Sequence, residues 1–228
     1  MRLGYEPFHP ATQRDIRSEA SDIAAGWPRV SGRFISFEGI DGCGKSTQAA
    51  MLVEYLGKRD IAVEHTREPG GTPVGEGIRD ALLASGSVTP MAEAHLFAAA
   101  RAELVAKVIS PALAAGRWIV CDRFIDSSLT YQGVARGLGI DAIWELNRGA
   151  IGECLPDVTV LLAISVDEAA RRRGTEPDRI EREGRDFQLR VVDGYATLAE
   201  RFPERIVPVD ASDGVDVVHR RVVEAVGA

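Results

Sequence analysis

The eight residues Gly39-Ile40-Asp41-Gly42-Cys43-Gly44-Lys45-Ser46 spell G-x-x-x-x-G-K-[ST], and no other segment constrains the fold of this chain as strongly. The apolar run Phe34-Ile35-Ser36-Phe37 precedes them, and a helix-forming stretch from Thr47 to Leu56 follows. A strand, a glycine-rich turn and a helix in that order make a cradle for phosphate. Gly39 and Gly44 let the backbone turn tightly and bring its N–H groups close to phosphate oxygens. Lys45 places a cation on the β and γ phosphates, and Ser46 offers its hydroxyl to Mg²⁺. Gly39, Asp41, Gly42, Cys43, Gly44, Lys45, Ser46 and Thr47 are therefore the candidate contacts for a nucleoside triphosphate. Lysine is scarce, with three against 24 arginines, yet one of the three stands in this loop.

A length of 228 residues suits one α/β domain with room for a substantial core. The net charge of −7 creates no field to attract nucleic acid or anionic lipid. Phosphorylated ligands must then be held by local arginines and backbone N–H groups. Cys43, Cys121 and Cys154 lie far apart and form no C-x-x-C pair, so free thiols in a reducing compartment are expected. No apolar run reaches the ~18 residues of a membrane span, and the N-terminus lacks the apolar segment of a signal peptide. These features predict a cytoplasmic protein with neither membrane nor nucleic-acid partners.

Residues 1–31 differ from the rest, with Pro7, Pro10 and Pro28 among scattered charges. They read as a flexible extension or an over-long start, with a docked arm as the alternative. The phosphate-loop domain is expected over 32–228, where a β/α alternation begins. Strand candidates are Phe34–Phe37, Ile61–His65, Trp118–Cys121, Val158–Ile164 and Ile206–Val209, short and apolar as buried parallel strands should be. Helical segments at 45–58, 73–84, 90–115, 124–135, 140–153, 166–172, 185–201 and 213–226 separate them. The expected fold class is α/β: a three-layer α/β/α phosphate-loop domain with a five-stranded parallel sheet and a mobile lid. Ligands should gather beyond the carboxyl ends of the strands.

Chemistry-bearing residues do cluster at those ends. Thr66-Arg67-Glu68-Pro69-Gly70-Gly71 follows the second strand and offers a guanidinium fork to a phosphate. Cys121-Asp122-Arg123 closes the third strand, with Asp122 placed to help hold Mg²⁺ and Arg123 beside it. Ser127-Ser128-Leu129-Thr130-Tyr131-Gln132-Gly133 then presents hydroxyls, an amide and one ring, a mixture suited to a sugar and a base. Phe97 and Arg101 are four apart on the long helix and share a face, so a stacking ring stands beside a donor. Residues 171–190 carry seven arginines and five acids, broken by Gly174 and Pro177. Closed over the phosphates, this segment would exclude water. Taken singly, each feature also has a plain reading: a solvated loop arginine, a polar helix face, a core phenylalanine, a charged loop.

Together these residues resemble the thymidylate kinase family, from about Arg33 to the C-terminus. The likeness rests on the phosphate loop with its internal Asp, R-E-P-G-G, L-F-x-A-x-R, D-R-[FYH], Y-Q-G and D-R-I-E, in that order. The resemblance implies transfer of the γ-phosphate of ATP to dTMP, giving dTDP and ADP, with Mg²⁺. It implies that Phe97 stacks on thymine and Arg101 bonds its edge, with Ser128 and Gln132 nearby. Tyr131 would crowd the sugar 2′ position, Arg67 and Arg123 would grip the acceptor phosphate, and Asp41 would stand near the 3′-hydroxyl. Some members carry a catalytic arginine inside the phosphate loop. Here that position is Cys43, so the chain resembles the lid-arginine type, with Arg173 or Arg179 as supplier. The family further implies a homodimer, for which the apolar faces of 90–115 and 140–153 would serve. The rivals are a kinase for another monophosphate (dUMP or CMP) and a phosphate-loop switch that hydrolyses nucleotide slowly.

Overall fold

β1 (Phe34–Glu38) is buried along its whole length because it lies at the centre of the sheet. The computed structural model describes residues 32–84, 86–172 and 179–228, so the extension at 1–31, the lid candidate Arg173 and the segment to 178 lie outside the described residues. After β1 come α1 (Lys45–Gly57), β2 (Val63–Arg67), α2 (Pro73–Ala84) and α3 (Pro90–Leu104). A wider π-helical turn (Val105–Ile109) joins α3 to α4 (Ser110–Ala114). β3 (Trp118–Asp122), α5 (Ile125–Ser128), a second π-helical segment (Leu129–Ala135) and α6 (Ile140–Ile151) follow. The chain closes with β4 (Val158–Ala163), α7 (Val166–Arg172), a short 3-10 turn (Glu181–Glu183), α8 (Arg185–Arg201), β5 (Ile206–Asp210) and α9 (Val215–Val226).

All strand pairings are parallel, in the order β2-β3-β1-β4-β5. α1 and α9 pack together on one face of the sheet, while α3, the Leu129–Ala135 segment, α6 and α8 pack against one another on the other. This is the three-layer assembly expected of short apolar strands alternating with helices. Phe34, Ile35, Phe37, Leu52, Leu56, Ile119, Val120, Val160 and Leu162 form the heart of the core, each almost wholly removed from water.

Two details depart from the sequence reading, each for a physical reason. β2 begins at Val63, not Ile61, because the Ile61 N–H returns to the Leu56 carbonyl at 3.2 Å and closes the end of α1. It runs on through polar Thr66 and Arg67 because it is an edge strand whose Arg67 pairs in register with Asp122. The stretch 90–115 is not uniformly α-helical. Pro111 has no N–H to give the ladder, and Ser110 bonds Val105 five residues back, so the helix widens there. The Leu129–Ala135 segment widens likewise, Arg136 N–H reaching the Tyr131 carbonyl at 2.8 Å. Tyr131 and Gln132 both lie within that widened segment.

Candidate active site

The register of the adjacent strands β1, β3 and β2 assembles the site. Phe37 pairs with Asp122, and Asp122 with Arg67, so the turns after β1, β2 and β3 leave the sheet side by side. After β1 the loop folds back tightly. Gly39 has φ 135°, and a Cβ there would stand 2.7 Å from the Leu162 carbonyl oxygen. Gly44, at φ 98°, caps α1 in the left-handed region that glycine alone enters without strain. Lys45 is buried, its Nζ donating to the Ile40 carbonyl at 3.0 Å and lying 3.8 Å from an Asp41 carboxylate oxygen. Ser46 donates to Asp122 Oδ2 at 2.5 Å. A hydroxyl and a carboxylate thus meet at the rim of the loop, the donor set that suits Mg²⁺ beside a phosphate.

A cavity of about 810 Å³ opens over this loop. The predicted loop residues Asp41 through Thr47 line it, with Arg67, Asp122 and Arg123. Beyond them the wall is made by Arg172, Ala211, Gly214 and Val215, where Arg172 NH1 bonds the Ala211 carbonyl at 2.8 Å. A narrower recess of about 100 Å³ adjoins it, lined by Phe97, Ser128, Tyr131 and Gln132 together with Leu83 and Ile180. Asp41, Glu68, Arg79 and Arg123 border both spaces.

Arg123 is the joint between the two. Its backbone has φ 71°, the left-handed region that costs a non-glycine residue of order 1 kcal/mol. The strain aims the guanidinium back across the loop. There it pairs with Asp41 and bonds the Gly39 carbonyl and Ser127 Oγ, each at 3.1 Å. It also approaches the hydroxyls of Tyr131 and Tyr195 at 3.4 Å. Burial tends to raise the Asp41 carboxyl, but Arg123 and Lys45 overcome it and hold the group at about 2. Asp41 is therefore an anion at every physiological pH. Burial and the Arg123 cation act on the Tyr131 phenol in opposite directions; burial prevails and it stays protonated, a donor 3.3 Å from Asp41.

The structure also shows what holds Arg123. Glu38, fully buried at the end of β1, accepts from the N–H of Phe124 at 2.8 Å, from Ser127 Oγ at 2.6 Å and from the Tyr195 hydroxyl at 2.7 Å. Burial, reinforced by Asp126, raises its carboxyl above the usual range. Neither Glu38 nor Tyr195 was singled out in the sequence. An acid ending the apolar run FISFE was the available signal for Glu38, whereas Tyr195 comes from α8, far along the chain, with no local signal. Arg79 and Glu68 were missed as well. Arg79 reaches the site from the second turn of α2, pinned by the Pro69 carbonyl at 3.0 Å.

Other predicted residues are placed less directly. Arg67 lines the large cavity but is half exposed, its NH2 held by both Glu76 oxygens at 2.9 and 3.1 Å. Arg101 lines neither space. It is 1% exposed and spends its donors on Glu68, Asn147, the Phe124 carbonyl and Ser128 Oγ. Burial pushes the Glu68 carboxyl up to about 7 against the pull of Arg101. Arg179 also lines neither space, bonded instead to the Leu82 carbonyl at 2.8 Å and to Glu93 at 2.6 Å. The three cysteines are unpaired, and no helix among the described residues is long and apolar enough to cross a membrane.

The geometry has close relatives. Residues 37–222 match the family model described as thymidylate kinase. A thymidylate kinase of Thermoanaerobacter sp. (strain X514) is 47% identical over 199 residues, covering 86% of this chain and 98% of that protein. One from Symbiobacterium thermophilum is 49% identical over 199 residues, covering 85% and 93%. The crystal structure of thymidylate kinase from Ehrlichia chaffeensis superposes with a TM-score of 0.72 at 33% identity, over 86% of this chain and 98% of that one. With a phosphate loop, an adjoining recess and an arginine between them, and with likeness over 86% of its length, this chain belongs to the thymidylate kinase family.

Proposed function

We propose that the protein transfers the γ-phosphate of ATP to dTMP, releasing dTDP and ADP. The observation that carries the reading is the shared wall. Asp41 and Arg123 border both the loop cavity and the recess, so a triphosphate held in one points at a phosphate held in the other. The acceptor phosphate is already an oxyanion at neutral pH and needs no strong base. Alignment and charge neutralisation then supply most of the acceleration.

The triphosphate lies along Gly39–Thr47, with Lys45 on its outer phosphates, and its base extends toward Ala211 and Val215. Ser46 and Asp122 would hold Mg²⁺, which neutralises phosphate charge when bound. On the acceptor side Phe97 stacks on the base, Ser128 and Gln132 meet its edge, and Arg101 supports that edge from behind through Ser128. Tyr131 stands against the sugar and excludes a 2′-hydroxyl, and Asp41 faces the 3′-hydroxyl. Arg67, Arg79 and Arg123 converge on the acceptor phosphate. For Arg67 this requires exchanging Glu76 for the ligand, a surface pair of the kind worth at most ~1 kcal/mol.

A cytoplasmic homodimer completes the reading, supported by the unpaired thiols and by an exposed strip of Ala92, Ala99, Ala102 and Ala106 on the helix formed by α3 and the following π turn. Light scattering at twice the 24.6 kDa chain mass would be the expected result. For the reaction itself, coupled ADP release is measured with Mg-ATP and dTMP, dUMP, UMP, CMP, AMP, GMP or no acceptor. Turnover is expected with dTMP above all others. Preference for a ribonucleotide would remove the Tyr131 assignment, and release indifferent to every acceptor would remove the kinase reading.

A further inference from the structure

A second arginine cluster lies behind the recess, centred on Glu93. This carboxylate is wholly buried in the first turn of α3. Its Oε1 accepts from Gln132 Nε2 at 2.8 Å and from Arg136 Nε at 3.2 Å. Its Oε2 accepts from Arg136 NH2 at 3.1 Å and from Arg179 NH2 at 2.6 Å. Burial acts to raise its pKa, yet the donors prevail and it stands below the ordinary carboxylate range. Arg179 Nε meanwhile caps the Leu82 carbonyl at 2.8 Å near the end of α2. Arg136 carries the network onward, NH1 to Glu183 at 2.5 Å.

Arg179 therefore fastens three parts of the molecule at one point: the end of α2, the start of α3 and the chain entering α8. What this fastening positions is specific. Gln132 and Ile180, each one bond or one residue from the cluster, both line the recess, and neighbouring Leu83 and Phe97 complete that wall. Ile180 is itself almost fully buried. Arg179 has no atom on either cavity wall, and its side chain is only 10% exposed. To reach a transferring phosphate it would have to abandon a buried carboxylate, leaving Arg136 as the remaining cation on Glu93. Stripping a partner from a buried ion pair is strongly unfavourable.

We infer that Arg179, acting through Glu93, is a positioning residue for the acceptor base pocket and does not deliver charge to the transferred phosphate. The inference rests on the proposed reaction and divides the two lid arginines that the sequence leaves equivalent. Among the described residues, the cations facing the phosphates are those of the cavity walls, Lys45 and Arg123 foremost.

The test separates KM from kcat. Arg179→Gln and Glu93→Gln are compared with the wild-type full chain, varying dTMP and ATP in turn. For both variants KM for dTMP is expected to rise about tenfold, with kcat within about threefold and KM for ATP unchanged. The double variant is expected to lose little more than the worse single one, because the two side chains act as one unit. A hundredfold fall in kcat for Arg179→Gln, with KM for dTMP unmoved, would overturn the inference. Should Arg179→Gln not fold, Arg179→Lys serves, with a smaller rise in KM for dTMP expected and a fall in kcat alone again fatal. Calorimetric titration of dTMP without ATP gives an independent reading: weaker binding in proportion to KM is expected, and an unchanged Kd refutes it. If the wild-type chain proves to use another monophosphate, the proposed acceptor is wrong, and the same KM comparison is made with the acceptor it does use.

Discussion

Lys45→Ala is expected to lower kcat by about 10²–10³ while leaving the fold intact, the loss typical when one fixed electrostatic donor is removed from a transfer site. Lys45 is buried beneath the loop, where its ammonium meets the Ile40 carbonyl, the Cys43 thiol and the Asp41 carboxylate. All three contacts are made by the terminal ammonium, so truncation is expected to leave the packing of α1 on the sheet intact. A bound triphosphate brings several negative charges to this spot, and they grow on the leaving oxygens during transfer. The cation is therefore worth more in the transition state than in the ground state, which places its effect mainly in kcat. Steady-state kinetics with far-ultraviolet circular dichroism as the fold control decides the matter. Turnover within about tenfold of wild type would remove Lys45 from the chemistry.

Arg123→Ala should cost more, about 10³-fold or beyond in kcat/KM for dTMP, because it removes a phosphate contact and releases the groups around it. Asp41, Ser127, Tyr131 and Tyr195 all meet this guanidinium. Their arrangement is what joins the two cavities. A second readout is independent of catalysis. Asp41 is held at about 2, below its ordinary 3.8, with Arg123 the strongest group lowering it. A depressed carboxyl contributes stability that is present above about pH 4 and lost as the pH falls toward 2. Without Arg123 the folded-state value moves back up, so the acid-dependent loss of stability assigned to Asp41 should shrink. Urea denaturation of wild type and variant between pH 6 and pH 3 measures it. A variant whose stability falls with acid as steeply as that of the wild type would show that Arg123 does not set the charge on Asp41.

The fold was legible because its signals are local. Unbroken apolar runs such as Phe34–Phe37 and Trp118–Cys121 can satisfy themselves only when both faces are covered, and those two became the centre of the sheet. The loop at Gly39–Ser46 was equally local, since its phosphate-facing geometry is written in consecutive residues. The edge strand was harder to read, because Val63–Arg67 is half polar and its ends are defined only by pairing with β3. Arg67 and Phe97, singled out by their neighbours in the sequence, stand on cavity walls in the structure. Arg101 was visible as a residue of the same helix face, but its orientation depends on Glu68 and Asn147, which the sequence holds 33 and 46 positions away.

From the sequence alone follow the phosphate loop, the parallel α/β architecture, the family resemblance and the identity of most residues at the strand ends. These properties depend on short-range patterns: the glycine spacing that permits a turn and the run of apolar side chains that demands burial. Only the tertiary structure decided which charges oppose which. It gave Arg123 to Asp41, Arg101 to Glu68 and Arg179 to Glu93. A guanidinium on a flexible stem can reach any acid within several ångströms, and a chain with 24 arginines offers many pairings. The choice is made by burial, because a carboxylate taken out of water must be met by whichever donors the packed helices deliver to it.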